Sequence, residues 1–250
     1  MQPEKSNLAQ LFRQIYSIRF ADTEALRQSS FKLRHDVYCD EKGWEKISDS
    51  GLEVDCHDLQ AAHCLIQHRQ TGEFVGTVRL VEGGHSKDLP CVTHLKQQGV
   101  LTADSDQLFS ASTGELSRLA IPACYRGGLG QGIVSNDQPA GLNNLLILAG
   151  LVLASLAIAE LKYLENVLIL GETRVRRVLE RHGLAIEPVS ETIELNGVRR
   201  LHCLKMNQFN ANFSPEIQGF YQWIKGYLEG IVPSGSCSFS TSSEPRLIRV

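Results

Sequence analysis

Apolar positions along this chain recur at two periods, and the period changes from segment to segment. Leu26, Leu33 and Val37 are spaced by seven and four. That spacing puts them on one helical face and predicts a helix over residues 21–39. Asp22 or Thr23 is placed to cap it, with Glu24 in the first turn. Gly43 ends that order, and a polar loop follows to about Cys56. Residues 62–68 and 74–81 then read as two strands joined by the turn Gln70-Thr71-Gly72-Glu73, and Gly83-Gly84 closes the unit. A short helix is expected over 92–99, then a polar linker to Thr113. Residues 115–121 (ELSRLAI) alternate polar with apolar and predict a strand stopped by Pro122. A glycine-rich loop occupies 125–132, and 135–141 is a further loop.

The second half has stronger signals. Residues 145–159 read LLILAGLVLASLAIA, inside a helix expected over 142–161. Residues 167–170 (VLIL) are apolar throughout, as in a strand covered on both faces. A basic amphipathic helix spans 173–182 and stops at Gly183. Residues 186–195 and 198–205 flank Asn196-Gly197, which predicts a tight hairpin. Ser214 caps a last helix with Pro215 at its first position, running to about Glu229. The order of elements predicts an α/β fold: a mixed, largely antiparallel sheet flanked by helices. Residues 10–208 are expected to form one domain and 209–232 a helical extension. Residues 233–250, rich in serine, are expected to be a flexible tail.

Composition narrows the classes. The 250 residues are 42% hydrophobic and 21% charged, which excludes a disordered, collagenous or coiled-coil chain. Lys and Arg number 25 against 28 Asp and Glu, a net charge of −3. A nucleic-acid partner is not expected at that balance. Seven cysteines, an odd count without a CxxC pair, argue against a disulfide framework or a zinc site. Cys56, His57, His63 and Cys64 lack a usual zinc spacing, so no metal is expected. Reduced thiols and a polar Met1–Ser6 segment with no apolar core behind it suggest a cytoplasmic protein. The apolar run 145–159 falls short of the roughly 20 residues a bilayer core requires. It is expected to be buried against the sheet, without stable membrane insertion.

The candidate chemistry sits mostly in the first half. Arg34 and Trp44 flank the end of the first helix, Asp55 and Asp58 follow in VDCHD, Arg79 lies in GTVRLV, and Glu115 and Arg118 share ELSRLA. Residues three apart in a strand point to opposite faces, so Glu115 and Arg118 meet only if a bulge intervenes, whereas Ser117 faces the same way as Glu115. Each of these residues taken singly also fits an ion pair on a sheet surface. In order, however, they resemble the signature of the acyl-homoserine-lactone (autoinducer) synthase family: Arg, Trp, Asp-x-x-Asp, Arg, Glu-x-x-Arg. All seven signature positions are filled. The Arg79-to-Glu115 interval is longer than the family's, consistent with an insertion around 86–106. From ELKYLENVLILGETRVRRVLERHGLAIEPV through ELNGVRR, the chain is more similar to PEP-CTERM/exosortase-associated acyltransferases and N-acyl amino acid synthases.

That resemblance implies the fold of the Gcn5-related N-acetyltransferases. It implies a fatty acyl donor bound as a thioester to acyl carrier protein or coenzyme A, a small-molecule amine acceptor, and no tightly bound cofactor. Glu115 is the expected base, with Ser117 beside it. Arg34, Trp44, Asp55, Asp58, Arg79 and Arg118 are expected to shape and close the acceptor pocket. Ordinary core packing is the alternative for Trp44. For the donor, the resemblance points to Leu119, Ile121, Arg126, Gly130 and Gly132. The last three match the acetyltransferase pyrophosphate loop one residue out of step, which favours a carrier protein over free coenzyme A. Arg174, Arg176, Arg177, Arg181 and Lys162 offer a basic patch for an acidic carrier protein, or simply a solvated helix face. Apolar residues around 145–153 and 167–170 could line an acyl tunnel or only fill the core. Two other activities stay open: a lactone synthase using S-adenosylmethionine, and a non-catalytic acyl-binding or regulatory module.

Overall fold

The computed structural model describes residues 8–83, 89–101, 112–126 and 142–233. Among them, seven strands form one sheet: β1 (Tyr16–Phe20), β2 (Ala61–His68), β3 (Phe74–Gly83), β4 (Thr113–Ala120), β5 (Asn166–Glu172), β6 (Glu187–Glu194) and β7 (Val198–Lys205). Their spatial order is β1-β2-β3-β4-β5-β7-β6. Every neighbouring pair is antiparallel except β4 with β5. The helices are α1 (Leu8–Ile15), α2 (Glu24–His35), α3 (Pro90–Gln97), α4 (Leu142–Leu161), α5 (Thr173–Arg181) and α6 (Pro215–Glu229). A parallel pair needs a long crossover, and α4 lies in the connection from β4 to β5.

Local chemistry explains most boundaries. Thr23 caps α2 by accepting from the Leu26 amide, so Thr23 rather than Asp22 supplies the cap. The helix runs on through a π-helical turn, Asp36–Glu41. The β6–β7 turn has φ of +50° at Asn196 and +102° at Gly197. That is the turn whose twist suits a hairpin, and it explains the Asn-Gly pair. Two elements had no counterpart in the sequence reading, α1 and β1. Leu8, Leu11, Phe12 and Ile15 do repeat at helical spacing, but over only eight residues.

The sheet separates two layers. On one face α1, α4 and α6 pack over Ile18, Ile66, Val78, Leu80, Leu116 and Val167. Phe12 anchors this layer, with ring centroids 5.0 Å from Phe220 and 5.6 Å from Tyr16. The C-terminal extension therefore shares the core of the sheet through α6. Helix α4 is apolar on every side because protein covers it; Leu146, Ile147, Leu151, Leu156 and Ala157 are wholly buried. It is long and apolar enough to cross a membrane, yet 67% of its apolar window is inside the protein. Gly76 allows this close approach: a Cβ there would lie 2.8 Å from the Ile147 methyl. On the other face, α3 packs over Val81, Leu168 and Leu201, and α2 packs over Ala120.

One irregularity organises that second face. Strands β4 and β5 pair only over Thr113–Glu115 and Asn166–Leu168. Beyond Glu115 and Leu168 the two strands are no longer paired, and the sheet opens into a wedge.

Candidate functional site

Five of the seven signature residues, Arg34, Asp55, Asp58, Arg79 and Arg118, converge in one charge network on the second face, beside the wedge. Arg34 projects from α2 and is completely buried. Its Nη1 and Nη2 donate to the two Asp58 carboxylate oxygens at 2.6 and 3.1 Å, and its Nε donates to Glu53. Arg79 comes from β3 and is also fully buried. Its Nη1 donates to Asp55 at 2.6 Å and to Asp58 at 2.8 Å, while its Nε reaches Ser117 Oγ at 3.3 Å. The DxxD spacing is a capping box on a short 3-10 turn, Cys56–Gln60. Asp55 accepts from the His57 amide, and Asp58 accepts from the Asp55 amide. The motif folds onto itself, and its carboxylate oxygens are shared: Asp55 Oδ1 accepts from both the His57 amide and Arg79, and Asp58 Oδ2 from both the Asp55 amide and Arg34.

Arg118 joins through the bulge on which its position depended. Thr77 pairs with Ala120 but Arg79 pairs with Ser117, so Arg118 and Leu119 together oppose Val78. Arg118 takes a φ of +51°, a left-handed conformation that is uncommon outside glycine. The bulge turns Arg118 onto the face that holds Arg79 and Ser117. There its guanidinium meets Glu53 at 3.1 Å, Asp55 at 3.3 Å and Glu45 at 3.4 Å. Glu53 has no counterpart in the signature, yet it links Arg34 to Arg118. The one signal in the sequence that could have found it is its place two residues before Asp55.

Burial alone would raise the Asp58 carboxyl, but Arg34 and Arg79 outweigh it and hold Asp58 well below the usual carboxylate range. Asp55 is lowered in the same way, chiefly by Arg79 against its own desolvation. His63, opposite Arg79 in the β2–β3 pairing, is pushed down to about 4 by burial, with Nε2 3.6 Å from Asp58. It is a neutral ring behind the charge network. Cys64 points into the other layer, so the Cys56–Cys64 segment is not gathered around one point.

Glu115 lies apart from the aspartates. It is 4% exposed, on β4 at the last rung before the wedge. Its carboxylate accepts from the Cys91 amide at 2.7 Å, at the N-terminus of α3. Burial raises its pKa, and the Cys91 donors, Arg79 and Arg118 oppose that rise. Ser117 shares its face, one residue pair further into the wedge.

Trp44 stands at the outer end. Its ring stacks on Tyr38, 5.9 Å away and tilted by 26°. Arg118 lies over the far side of Tyr38 at 5.8 Å, and Arg199 of β7 lies over Trp44 at 5.2 Å. Trp44 is half-buried in a stack rather than set in an apolar core. The Tyr38 hydroxyl donates to the Leu119 carbonyl at 2.7 Å, and burial pushes it up to about 12.

The expected donor residues divide. Leu119 is half-buried and packs against the α4 layer, in which Ile121 is buried. Arg126 is paired with Glu41 of the π-helical turn, which also accepts from the Ala123 amide at 3.0 Å. Gly130 and Gly132 lie outside the described residues, as do both ends of the expected insertion and the serine-rich tail from residue 234. The basic patch needs one correction. Lys162 is buried and bonded to Glu82 at 2.8 Å, because it ends α4 against the sheet. Arg174 and Arg176 remain on α5, each beside a glutamate, Glu172 and Glu180.

Known proteins share this arrangement of elements. A family model for the acetyltransferase (GNAT) domain matches residues 33–134. Acyl-homoserine-lactone synthases from Aeromonas salmonicida and Aeromonas hydrophila are each 26% identical over 172 residues, which is 68% of this chain and 74% of theirs. Among solved structures, TofI in a complex with an inhibitor and MTA superposes with a TM-score of 0.56 at 15% identity, covering 81% of this chain and 99% of that one. BjaI, a CoA-dependent acyl-homoserine lactone synthase, gives 0.56 at 17% identity over 88% and 92% of the two chains. FeeM, an N-acyl amino acid synthase from uncultured soil microbes, gives 0.53 at 14% identity over 79% and 94%. The chain is similar in sequence to acyl-homoserine-lactone synthases, and it has the acetyltransferase (GNAT) fold of these structures.

Proposed function

We propose that the protein is an N-acyltransferase that moves a fatty acyl group from a thioester, on acyl carrier protein or coenzyme A, to the amine of an amino acid or derivative. The observation that carries this reading is the position of Glu115. It is a buried carboxylate with a raised pKa, at the rung where β4 and β5 part. A neutral amine attacks the thioester carbonyl, and the new C–N bond forms as the carbonyl π electrons move to oxygen. Glu115, directly or through a water, takes the proton that the nitrogen loses. The tetrahedral oxyanion collapses, the C–S bond breaks, and the thiolate leaves and is protonated. Backbone N–H groups of β4 past Glu115, where β5 no longer pairs with it, are the candidates to meet the oxyanion. No acyl-enzyme is required, so no cysteine need react.

In this reading the Arg34–Glu53–Asp58–Arg79–Asp55–Arg118 network is a positioning device. Its charges pair with one another, and it ties α2 and the segment 53–58 to β3 and β4. Ser117 and Trp44 bound the space in front of Glu115. Leu119 borders the donor, with Arg126, Gly130 and Gly132 following it on the donor side. A carrier-protein donor, docking near Arg174, Arg176, Arg177 and Arg181, is favoured by the imperfect pyrophosphate-loop match. A cytoplasmic location and a role beside PEP-CTERM systems belong to the same reading.

The similarity to curated lactone synthases favours one second reading, in which S-adenosylmethionine is the acceptor and lactone closure follows acylation. Mass spectrometry of reactions containing acyl carrier proteins of several chain lengths, the common amino acids and S-adenosylmethionine separates the two. An acyl amide that Glu115→Gln does not form supports amino acid acylation, and an acyl lactone supports the second reading. Tight acyl-carrier binding with no product from any acceptor would leave a non-catalytic module.

A further inference from the structure

Arg199 was not among the residues singled out by the sequence, and it is the guanidinium of the site face that the described residues leave without a carboxylate. Arg34, Arg79 and Arg118 each hold at least two acidic groups. Arg199 stacks on Trp44 instead, and its Nε is buried without a hydrogen-bond partner. The acidic residue paired with it across the sheet, Glu172, is bonded to Arg174 at 2.6 Å.

Its place in the sheet is specific. Arg199 pairs with Glu172 at the end of β5 and with Ile193 of β6. Ile193 and Leu201 belong to the second layer, which puts Arg199 on the face of Glu115 and Ser117. The last β4–β5 rung is Glu115 with Leu168. Glu172 is four residues further, or about 13 Å along the strand. Arg199 is thus level with the open end of the wedge. The succession Arg118, Tyr38, Trp44 and Arg199 spans that opening from the β4 side to the β7 side.

We propose that Arg199 is an anion-binding residue of this cleft, and that it pairs with a carboxylate or phosphate oxygen of a substrate entering between β4 and β5. This rests on the acyl-transfer reading above. The guanidinium carbon lies 5.2 Å from the Trp44 ring centroid, within cation–π range, and Nε has no partner; a guanidinium so placed can give its N–H donors to an oxyanion. Two substrate anions have this chemistry: the carboxylate of an amino acid acceptor and the phosphate of a phosphopantetheine-bearing donor.

The test compares the wild type with Arg199→Met and Arg199→Lys, using acyl carrier protein or acyl-coenzyme A with an amino acid acceptor found to be turned over. Loss of a charge-assisted pair predicts that Arg199→Met raises one KM by about 10- to 100-fold, with kcat changed far less. Arg199→Lys, which keeps the charge but loses the fork, should recover part of that loss. If the acceptor carboxylate is the partner, the acceptor's KM rises and the corresponding amino acid amide shows no difference between variants. If the donor phosphate is the partner, the donor's KM rises, and a phosphate-free N-acetylcysteamine thioester is indifferent to the substitution. Both KM values within twofold of wild type in a folded Arg199→Met would overturn the proposal. Should Arg199→Met not fold, unchanged KM values in Arg199→Lys overturn it equally. A wild type that turns over no acceptor removes the acyl-transfer reading itself, which is a separate failure.

Discussion

Asp58→Asn is the sharpest single perturbation of the network. Asp58 accepts from Arg34 at 2.6 and 3.1 Å, from Arg79 at 2.8 Å and from the Asp55 amide at 2.8 Å. Both arginines are completely buried. The amide is nearly isosteric, but it turns one acceptor oxygen into an N–H donor that faces guanidinium donors. It also leaves three guanidinium groups to Glu53 and Asp55 within the buried set. Removing one partner from a buried ion pair costs about 3–5 kcal/mol, because the other charge stays desolvated. For a chain of this length, 1 kcal/mol moves Tm by about 2–4 °C, so a fall of about 6–20 °C is expected. Differential scanning calorimetry at pH 7 measures it. Arg34→Met should be less damaging in the Asp58→Asn background than alone, since each has then already lost the other. A Tm within 2 °C of wild type for Asp58→Asn would refute the view that this network ties α2 and the segment 53–58 to the sheet.

Three further outcomes are expected. Glu115→Gln should lower acyl transfer by about 100- to 10,000-fold with Tm equal to or above wild type, because burial already disfavours the ionised acid; a large Tm loss would assign Glu115 a structural role instead. His63 is held near pKa 4 against an ordinary 6.5, so the unfolded chain binds its proton more readily between those values. Its contribution to stability is therefore full above pH 6.5 and falls as pH drops toward 4, by at most about 1.4 kcal/mol per pH unit. Urea unfolding at pH 7 and pH 4.5 should show that loss, and His63→Leu should reduce it, with buried His202, also lowered, supplying part of the remainder. Gly197→Val should destabilise the β6–β7 hairpin by about 1–3 kcal/mol, because a branched residue at φ of +102° is strained; urea midpoints would show no change if the turn relaxes freely.

The sequence by itself determined the elements whose cause is local. The α4 run, the Asn196-Gly197 turn, the Ser214–Pro215 start of α6, the strand–turn–strand of β2 and β3 and the alternation in β4 all follow from spacing or from local backbone chemistry. The order of the signature residues was legible for the same reason, since order survives folding. Tertiary structure alone decided which of these charges meet. Arg118 reaches Glu53 only because β4 carries one residue more than β3 across the bulge, and an alternating strand pattern contains no mark for an insertion in its partner's register. Glu53, Cys91 and Arg199 enter the site from positions 62, 24 and 84 residues away from Glu115, brought there by the packing of α2, α3 and β7 on one sheet face. Lys162 shows the reverse case: it reads as a surface cation beside the arginines, but the end of α4 presses it onto Glu82. Burial and pairing are properties of two segments at once, and a linear pattern encodes only one.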